Sequence, residues 1–257
     1  MTSEGYVLVA LGDTYKKMAA AFVDTLRLQG DERPVHIIDE SNLKTNTELF
    51  SDCKIDFEKY GTYPKLTLDL HTPFDHTIYL DCDMLCGYKP DKVWDHFKSG
   101  SDVVKQMGLY PSLWAPEFRL NFEKDYNKKL YLCHGSMIYV RKSSEASSLF
   151  EFMRTEVWDN YYKYSYGDKT NKGLRYGRAD QVIYSIASAL NGIVPSDMLG
   201  YPFVTHVSTP NTFTGVPQKS LFFRNHRIEF EEEIPFFHMW SKIGTKTYND
   251  VYESIVR

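Results

Sequence analysis

Residues 78–86 read IYLDCDMLC and form the most informative segment of the chain. An apolar, β-branched run ends directly in Asp81 and Asp83, which predicts a strand over Thr77–Leu80 with two carboxylates at its carboxyl end. In open α/β sheets, ligands bind outside the carboxyl ends of the strands. Side chains two residues apart on an extended chain also project to the same side. The stretch therefore predicts a ligand site at the edge of a sheet.

A pair of carboxylates at such a position suits a divalent cation. Carboxylate oxygens are hard ligands that hold Mg²⁺ or Mn²⁺, and either ion can bridge a diphosphate. The alternative is a solvated turn, because a chain rich in aspartate contains roughly one Asp-x-Asp by chance. Two like charges at the end of a buried strand are unfavourable unless they are solvated, paired or metal-bound. We therefore interpret Asp81 and Asp83 as metal ligands.

Strands and helices alternate along the first part of the chain. The pattern predicts a strand over Tyr6–Leu11, a helix over Thr14–Gln29 with Gly30 as its stop, a second strand over Val35–Ile38 and a helix over Thr62–Leu70. This order favours an α/β fold with a mostly parallel central sheet flanked by helices.

The second part of the chain is less regular. We interpret residues 1–257 as a single domain, with a nucleotide-binding half at 1–105 and an acceptor and sugar half at 106–257. The pattern predicts a helix at 91–97, a strand at 102–105, an irregular insertion at 108–129, a strand at 131–140, helices at 143–160 and 179–190 with an exposed, mobile loop at 161–178 between them, and a tail at 236–257 that ends in a helix.

Composition excludes several classes of protein. The chain has 257 residues, of which 42% are hydrophobic, so it can bury a full core and is neither disordered nor a disulfide-stapled miniprotein. Thirty basic and thirty-four acidic residues give a net charge of −4, which argues against a general nucleic-acid binder. No apolar run approaches the ~20 residues that span a bilayer. With four cysteines that form no paired CxxC, we expect a cytoplasmic protein.

The stretch YPKLTLDLHTPFDHTIYLDCDMLC, residues 63–86, resembles the central signature of GT-A nucleotide-sugar glycosyltransferases, especially the retaining, glycogenin-like galactosyl- and glucosyltransferases. The resemblance lies in a Lys-containing helix, a Thr-Pro-Phe-Asp turn, an apolar strand and Asp-x-Asp. It extends over residues 6–246 and is looser around the two histidine-containing segments described below. It implies a GT-A fold, Mn²⁺ or Mg²⁺ as cofactor, and transfer of a hexose from a UDP-sugar with retention.

The resemblance assigns four residues of the first half to the donor. Asp13 and Tyr15 follow the first strand as an Asn/Asp-x-Tyr turn does in the family, where the tyrosine stacks on uracil. Lys65 and Asp102 stand where such proteins place nucleotide or sugar contacts. From the residues alone, Tyr15 suits simple packing, Lys65 an exposed helix lysine, and Asp102 a strand-end acid.

Two further segments align in the second half. His134 and Gly135 stand at the family's Asn-Ser-Gly motif. His134 replaces the asparagine, and Gly135 and Ser136 occur in the opposite order to the family's serine and glycine. Glycine allows a close backbone approach to a sugar, and His134 either donates to a sugar hydroxyl or caps the strand. Asp180 and Gln181 resemble the family's Asp-Gln motif, whose acid contacts the transferred sugar. An acid at a helix N-terminus needs no ligand, so that alternative also stands.

The last segment, FHMWSK at residues 237–242, resembles the C-terminal HFxGxxK signature. The resemblance makes His238 the third metal ligand, and a neutral imidazole suits that role. A histidine between aromatic residues is otherwise a core residue. Gly244 stands where the family has lysine, so Lys242 and Lys246 are both candidates for the diphosphate contact.

The resemblance implies that Asp180 and Asp102 hold the sugar during catalysis while the metal ion neutralises the leaving diphosphate. A base for inversion could come from Asp180 or Glu117, so the stereochemistry stays open. The 161–178 loop is either a lid over the donor or a solvated linker. The acceptor is a glycan, a lipid, a protein side chain or a small molecule, and a homodimer is compatible with the sequence.

Two other functions compete with sugar transfer. A nucleotidyltransferase also uses Mg²⁺ on carboxylates, but it would carry a basic, Gly-rich loop after the first strand, and residues 11–14 contain no arginine. A catalytically silent nucleotide-sugar-binding module would keep the pocket and lose the metal. Retention of both Asp81 and Asp83 argues against the silent module, whereas the altered C-terminal signature favours it.

Overall fold

The computed structural model describes residues 3–43, 63–109, 116–165, 179–197, 203–207, 220–223, 226–229, 233–239 and 246–257. The strands are β1 (Glu4–Val9), β2 (Val35–Ile38), β3 (His76–Asp81), β4 (Met84–Cys86), β5 (Val104–Leu109), β6 (Leu132–Arg141), β7 (Ser196–Asp197), β8 (Val204–Val207), β9 (Ser220–Phe223), β10 (His226–Glu229) and β11 (Phe236–Met239). The helices are α1 (Asp13–Leu28), α2 (Leu68–His71), α3 (Asp91–Lys98), α4 (Pro116–Tyr126), α5 (Ser144–Phe152), α6 (Tyr161–Tyr164), α7 (Asp180–Leu190) and α8 (Lys246–Val256), with a 3₁₀ turn at Tyr63–Thr67 before α2 and a π-helical turn at Met153–Val157 after α5.

The central sheet has six strands in the order β2-β1-β3-β6-β5-β7. Strand β1 pairs with β2 in parallel, and β5 pairs in parallel with β7 but antiparallel with β6. Tyr6, Val7 and Leu8 of β1 are all fully buried, which is typical of a strand covered on both faces. The predicted α/β class, with a mostly parallel sheet flanked by helices, is therefore confirmed.

The chain forms two compact units, each drawn from separate segments. The terminal unit contains Ser3–Asn42, Tyr79–Ser101 and Leu199–Arg257. The middle unit contains Leu43–Ile78 and Asp102–Met198. The predicted functional halves at 1–105 and 106–257 divide the chain in another way and stay a prediction.

The predicted irregular insertion at 108–129 is wrong, because helix α4 lies within it. Phe118, Phe122 and Tyr126 recur every fourth residue, with ring centroids 6.3 and 4.7 Å apart along the series. This spacing places the three rings on one helix face, where Phe118 and Phe122 are buried. Asn127 follows the helix with φ of 50°, a left-handed conformation that ends it. The dense charges between the rings conceal this period in the sequence.

Two other boundaries also differ from prediction. Strand β5 begins at Val104 rather than Asp102 and continues through Leu109, so Asp102 precedes the strand instead of ending it. Tyr161 and Tyr164 of the predicted exposed loop belong to α6 and are buried. Residues 166–178 of that loop lie outside the described residues.

A second sheet, in the terminal unit, has three strands in the order β4-β11-β8. Strand β11 runs antiparallel to β4, with Phe237 opposite Leu85 and His238 opposite Met84. Phe237 is fully buried and lies against Gly87, where an added Cβ would overlap its ring. The glycine therefore sets how closely β11 approaches the chain that follows β4.

The cysteines of the described residues are buried free thiols. Burial raises the pKa of the Cys133 thiol to about 12, so it stays protonated at neutral pH. Cys53 lies outside the described residues.

None of the helices in the described ranges has the length and apolar character needed to cross a membrane.

We predict that Gly87→Ala destabilises the protein by about 3 kcal/mol, because the new methyl group overpacks a buried aromatic contact. Urea unfolding followed by circular dichroism measures the change. Phe237→Leu is the matched second variant, since a smaller side chain relieves the overlap. The loss in the double variant should be smaller than the sum of the two single losses, and strict additivity would contradict the proposed contact.

Candidate functional site

The terminal unit brings Asp81, Asp83 and His238 together. Asp81 is the last residue of β3, Asp83 lies in the turn before β4, and His238 belongs to β11. The antiparallel pairing sets His238 opposite Met84, the residue after Asp83. The N–H of Met239 also donates to the carbonyl oxygen of Asp83 at 2.9 Å. Backbone hydrogen bonds thus fix the two parts of the chain that carry this cluster.

The donor atoms of the three residues converge. His238 Nε2 lies 3.3 Å from Asp83 Oδ1 and 3.8 Å from Asp81 Oδ2. One ligand atom from each residue falls within 4.8 Å of the others. Ligands of an octahedral ion about 2.1 Å from the metal are about 3–4 Å apart, so two carboxylate oxygens and one imidazole nitrogen fit a divalent cation here. His238 is 8% exposed and both aspartates are partly exposed, so solvent reaches the carboxylates.

Two tyrosines that the sequence analysis did not single out lie near this cluster. The Tyr79 hydroxyl donates to Asp81 Oδ1 at 2.5 Å, which leaves Oδ2 on the side of His238. Tyr79 and Asp81 are two residues apart on one strand, so their side chains lie on the same face of the sheet. This spacing could have predicted the contact from the sequence. Tyr248 of α8 packs with Leu85 and Phe237. The pKa of its phenol is raised, mainly by burial and to a smaller extent by the nearby charge of Asp83.

The middle unit brings Lys65 and Asp180 together. Lys65 lies in the 3₁₀ turn, Asp180 is the first residue of α7, and Lys65 Nζ is 2.7 Å from Asp180 Oδ2. The two side chains are only 16% and 14% exposed, so Lys65 is not an exposed helix lysine. Asp180 Oδ1 also accepts the N–H of Gln181 at 2.8 Å. Asp180 is therefore both a helix N-terminal acid and one half of a largely buried ion pair.

Strand β6 approaches this ion pair at Gly135. A Cβ added at Gly135 would lie 2.7 Å from Asp180 Oδ2, so the close approach that glycine permits is that of the Asp180 carboxylate. On either side of the glycine, His134 Nδ1 and the Ser136 hydroxyl share a hydrogen bond, and both residues are buried. This bond gives His134 a protein partner through Nδ1.

The same segment of β6 is bulged. Gln106 of β5 pairs with Ile138, and Gly108 pairs with Cys133, so the four residues His134–Met137 stand opposite the single residue Met107. Bulges bend a strand and redirect its side chains, and they are common next to binding sites. The irregular pairing thus coincides with the segment that the family resemblance assigns to the sugar.

The structure places Asp13 and Tyr15 in the first turn of α1. Tyr15 is 50% exposed, so its ring is accessible rather than packed in the core. Gly12 precedes the helix with φ of 87°, a conformation that favours glycine, and its N–H donates to the Glu40 carboxylate.

Other predicted residues lie on exposed surfaces. Asp102 is about half exposed and lies 3.8 Å from Lys105 Nζ. Glu117 is exposed in the first turn of α4. Lys246 opens α8, is 84% exposed and pairs with Asp250 one turn later. Lys242 lies outside the described residues.

Comparison with solved structures places this fold among those of glycosyltransferases. The chain is similar to the galactosyltransferase LgtC, crystallised in complex with donor and acceptor sugar analogues, with a TM-score of 0.61 and 14% identity over 98% of this chain and 96% of that one. It is similar to mouse xyloside xylosyltransferase 1, with a TM-score of 0.55 and 10% identity over 92% of this chain and 97% of that one. It also matches the bifunctional glycosyltransferase WbbM, with a TM-score of 0.57 and 12% identity over 100% of this chain and 50% of that one.

These likenesses confirm the predicted GT-A fold. No family model and no curated protein matches the chain.

We predict that Asp83→Asn weakens Mn²⁺ binding at least tenfold, because it removes one anionic ligand from the cluster and leaves the fold intact. Electron paramagnetic resonance of free Mn²⁺ during titration measures the affinity. Asp95→Asn, an exposed acid on α3, is the control. Equal affinities in the two variants would contradict the assignment of Asp83 as a ligand.

We predict that Asp180→Asn destabilises the protein by about 2 kcal/mol, because Lys65 loses its anionic partner in a largely buried position. Asp250→Asn is the control and should cost no more than about 0.5 kcal/mol, since its pair with Lys246 is exposed. Chemical denaturation at constant salt measures both. Losses of equal size would show that the Lys65–Asp180 pair has no special importance for stability.

Proposed function

We propose that this chain, which has the GT-A fold, is a metal-dependent glycosyltransferase that moves a hexose from a UDP-sugar to a saccharide acceptor. The convergence of Asp81, Asp83 and His238 carries the proposal. The galactosyltransferase with the similar fold was crystallised with donor and acceptor sugar analogues, which supports the choice of donor and acceptor class.

In this proposal Asp81, Asp83 and His238 hold Mn²⁺ or Mg²⁺. A divalent cation bound there supplies Lewis-acid stabilisation of the leaving diphosphate. The protein's own contribution is to fix the ligands: Tyr79 orients Asp81, and the β4–β11 pairing sets His238 beside Asp83. Because the ligands are already close together, little reorganisation is needed when the ion and the donor bind.

We assign Lys65 to the diphosphate of the donor and Asp180 to its sugar. The Lys65 ammonium is a compact point charge suited to phosphate oxygens, and the Asp180 carboxylate accepts hydrogen bonds from sugar hydroxyls. Their 2.7 Å contact holds both charges in place before the donor arrives.

Asp13 and Tyr15 are proposed to contact the nucleotide, with Tyr15 stacking on the base. His134, Gly135, Gln181 and Asp102 are proposed to contact the sugar, and Lys242 or Lys246 the diphosphate.

We propose retention of the anomeric configuration. The Asp180 carboxylate already accepts hydrogen bonds from Lys65 Nζ at 2.7 Å and from the Gln181 N–H at 2.8 Å. A carboxylate engaged in this way is better suited to orienting a sugar than to removing a proton from the acceptor. A donor phosphate oxygen can accept that proton when the acceptor attacks from the same face as the leaving group.

Purified protein with Mn²⁺ should release UDP slowly from UDP-glucose or UDP-galactose without an acceptor, and chelation should abolish the release. A coupled UDP assay measures the rate. Asp83→Asn should lower the rate at least 100-fold, because the ion is bound more weakly and without one of the two carboxylates that position it, whereas the exposed control Asp95→Asn should not change the rate.

Three other outcomes would contradict the proposal. Donor binding without UDP release from any UDP-sugar would identify a silent binding module. Release of pyrophosphate from a nucleoside triphosphate and sugar phosphate would identify a nucleotidyltransferase. A UDP release rate that does not respond to chelation would remove the metal from the mechanism.

A further inference from the structure

Lys65 lies in a segment of the middle unit that has little stability of its own. The 3₁₀ turn Tyr63–Thr67 is five residues long. Such turns have poor hydrogen-bond geometry and seldom extend further. Within the turn, the Thr67 hydroxyl donates to the carbonyl oxygen of Pro64 at 2.7 Å. The position of Lys65 therefore depends on contacts with other elements.

Tyr184 of α7 makes such a contact with the backbone of Lys65. Its hydroxyl donates to the Lys65 carbonyl oxygen at 2.7 Å. The Tyr184 side chain is fully buried, and its ring meets Phe150 edge-on with centroids 6.4 Å apart. A ring packed in this way has a single orientation, so the hydroxyl is fixed as well.

The same helix face also holds the other end of Lys65. Asp180 and Tyr184 are four residues apart on α7 and therefore lie one above the other. Asp180 contacts the ammonium at 2.7 Å, and Tyr184 contacts the carbonyl oxygen at 2.7 Å. Because α7 is buried from Val182 to Ala189, it is a rigid support for both contacts.

A second support holds the residues that follow Lys65. Arg154, in the π-helical turn, donates to the Leu66 carbonyl oxygen at 2.9 Å and to both carboxylate oxygens of Asp69 at 2.5 and 3.3 Å. Burial raises the pKa of Asp69, against the opposing effect of Arg154. These contacts anchor the whole segment, whereas the Tyr184 contact is specific to Lys65.

We infer that Tyr184 is a positioning residue for Lys65. By holding the Lys65 backbone, Tyr184 sets where the Lys65 ammonium meets the donor. The inference rests on the proposed function of Lys65. A lysine has a flexible four-carbon stem, so its ammonium is well placed only if its backbone is held. A misplacement of about 1 Å in a positioned group can cost 10²-fold in rate, so one hydroxyl can matter far from the reacting atoms.

The test is Tyr184→Phe, which removes the hydroxyl and keeps the ring. Tyr139→Phe is the matched control: Tyr139 is also buried in the middle unit, and its hydroxyl bonds to His76 Nδ1 at 2.6 Å instead of to Lys65. Both variants should lower the melting temperature by similar amounts. Only Tyr184→Phe should also lower kcat/KM for the donor, by about tenfold, with the control within about twofold of wild type.

A double-mutant cycle then separates positioning from a general effect on the fold. In a Lys65→Met background the ammonium is absent, so adding Tyr184→Phe should lower kcat/KM no further. A further tenfold loss in that background would overturn the inference. Equal kcat/KM values for Tyr184→Phe and Tyr139→Phe would overturn it too, as would a Tyr184→Phe variant that fails to fold while the control folds.

Failure of the proposed function gives a different result. If the wild-type chain turns over no donor, calorimetry of UDP binding replaces kcat/KM in the same set of variants. A tenfold loss of UDP affinity in Tyr184→Phe alone would support the positioning role in a binding module. A wild-type chain that binds no UDP would overturn both proposals.

Discussion

The antiparallel pairing of β11 with β4 is the constraint on which the cluster of Asp81, Asp83 and His238 depends. Asp81 and Asp83 are neighbours in the chain, but two aspartates alone are a repulsive pair of charges. The pairing adds His238 at 3.3 Å from Asp83. It is held by the ladder itself and by the contact of Phe237 with Gly87. A packing requirement on a small glycine and a large aromatic ring thus controls the spacing of polar ligands.

The middle unit contains a largely buried ion pair, Lys65–Asp180. Lys65 and Asp180 are both largely removed from water, so either charge would destabilise the fold if the other were removed. Their positions are fixed by groups that carry no net charge: the bare Cα of Gly135, the backbone N–H of Gln181 and the hydroxyl of Tyr184. In the proposed function, Lys65 meets the phosphate of the donor and Asp180 meets its sugar hydroxyl groups.

Strands and helices are predicted correctly where the apolar residues of a segment recur with one regular spacing. The apolar runs of β1 and β3 and the glycine stop after α1 are predicted closely, and the Asp-x-Asp pair is found at the expected strand end. Helix α4 is missed because charged residues separate its aromatic positions. Contacts between distant residues, such as Gly135 with Asp180 or Tyr184 with Lys65, leave no local pattern. The role of His238 as a metal ligand is predicted only from the family resemblance, since a histidine between aromatic residues more often belongs to a core.

The order of Asp81, Asp83 and His238 along the chain has a consequence for biosynthesis. His238 follows Asp83 by 155 residues. At about 5–20 residues per second, a ribosome needs on the order of ten seconds or more to supply it. During that interval the nascent chain exposes two aspartates and the unpaired edge of β4, without the strand that completes them. The three-residue cluster can therefore be completed only after β11 has been synthesised and has paired with β4.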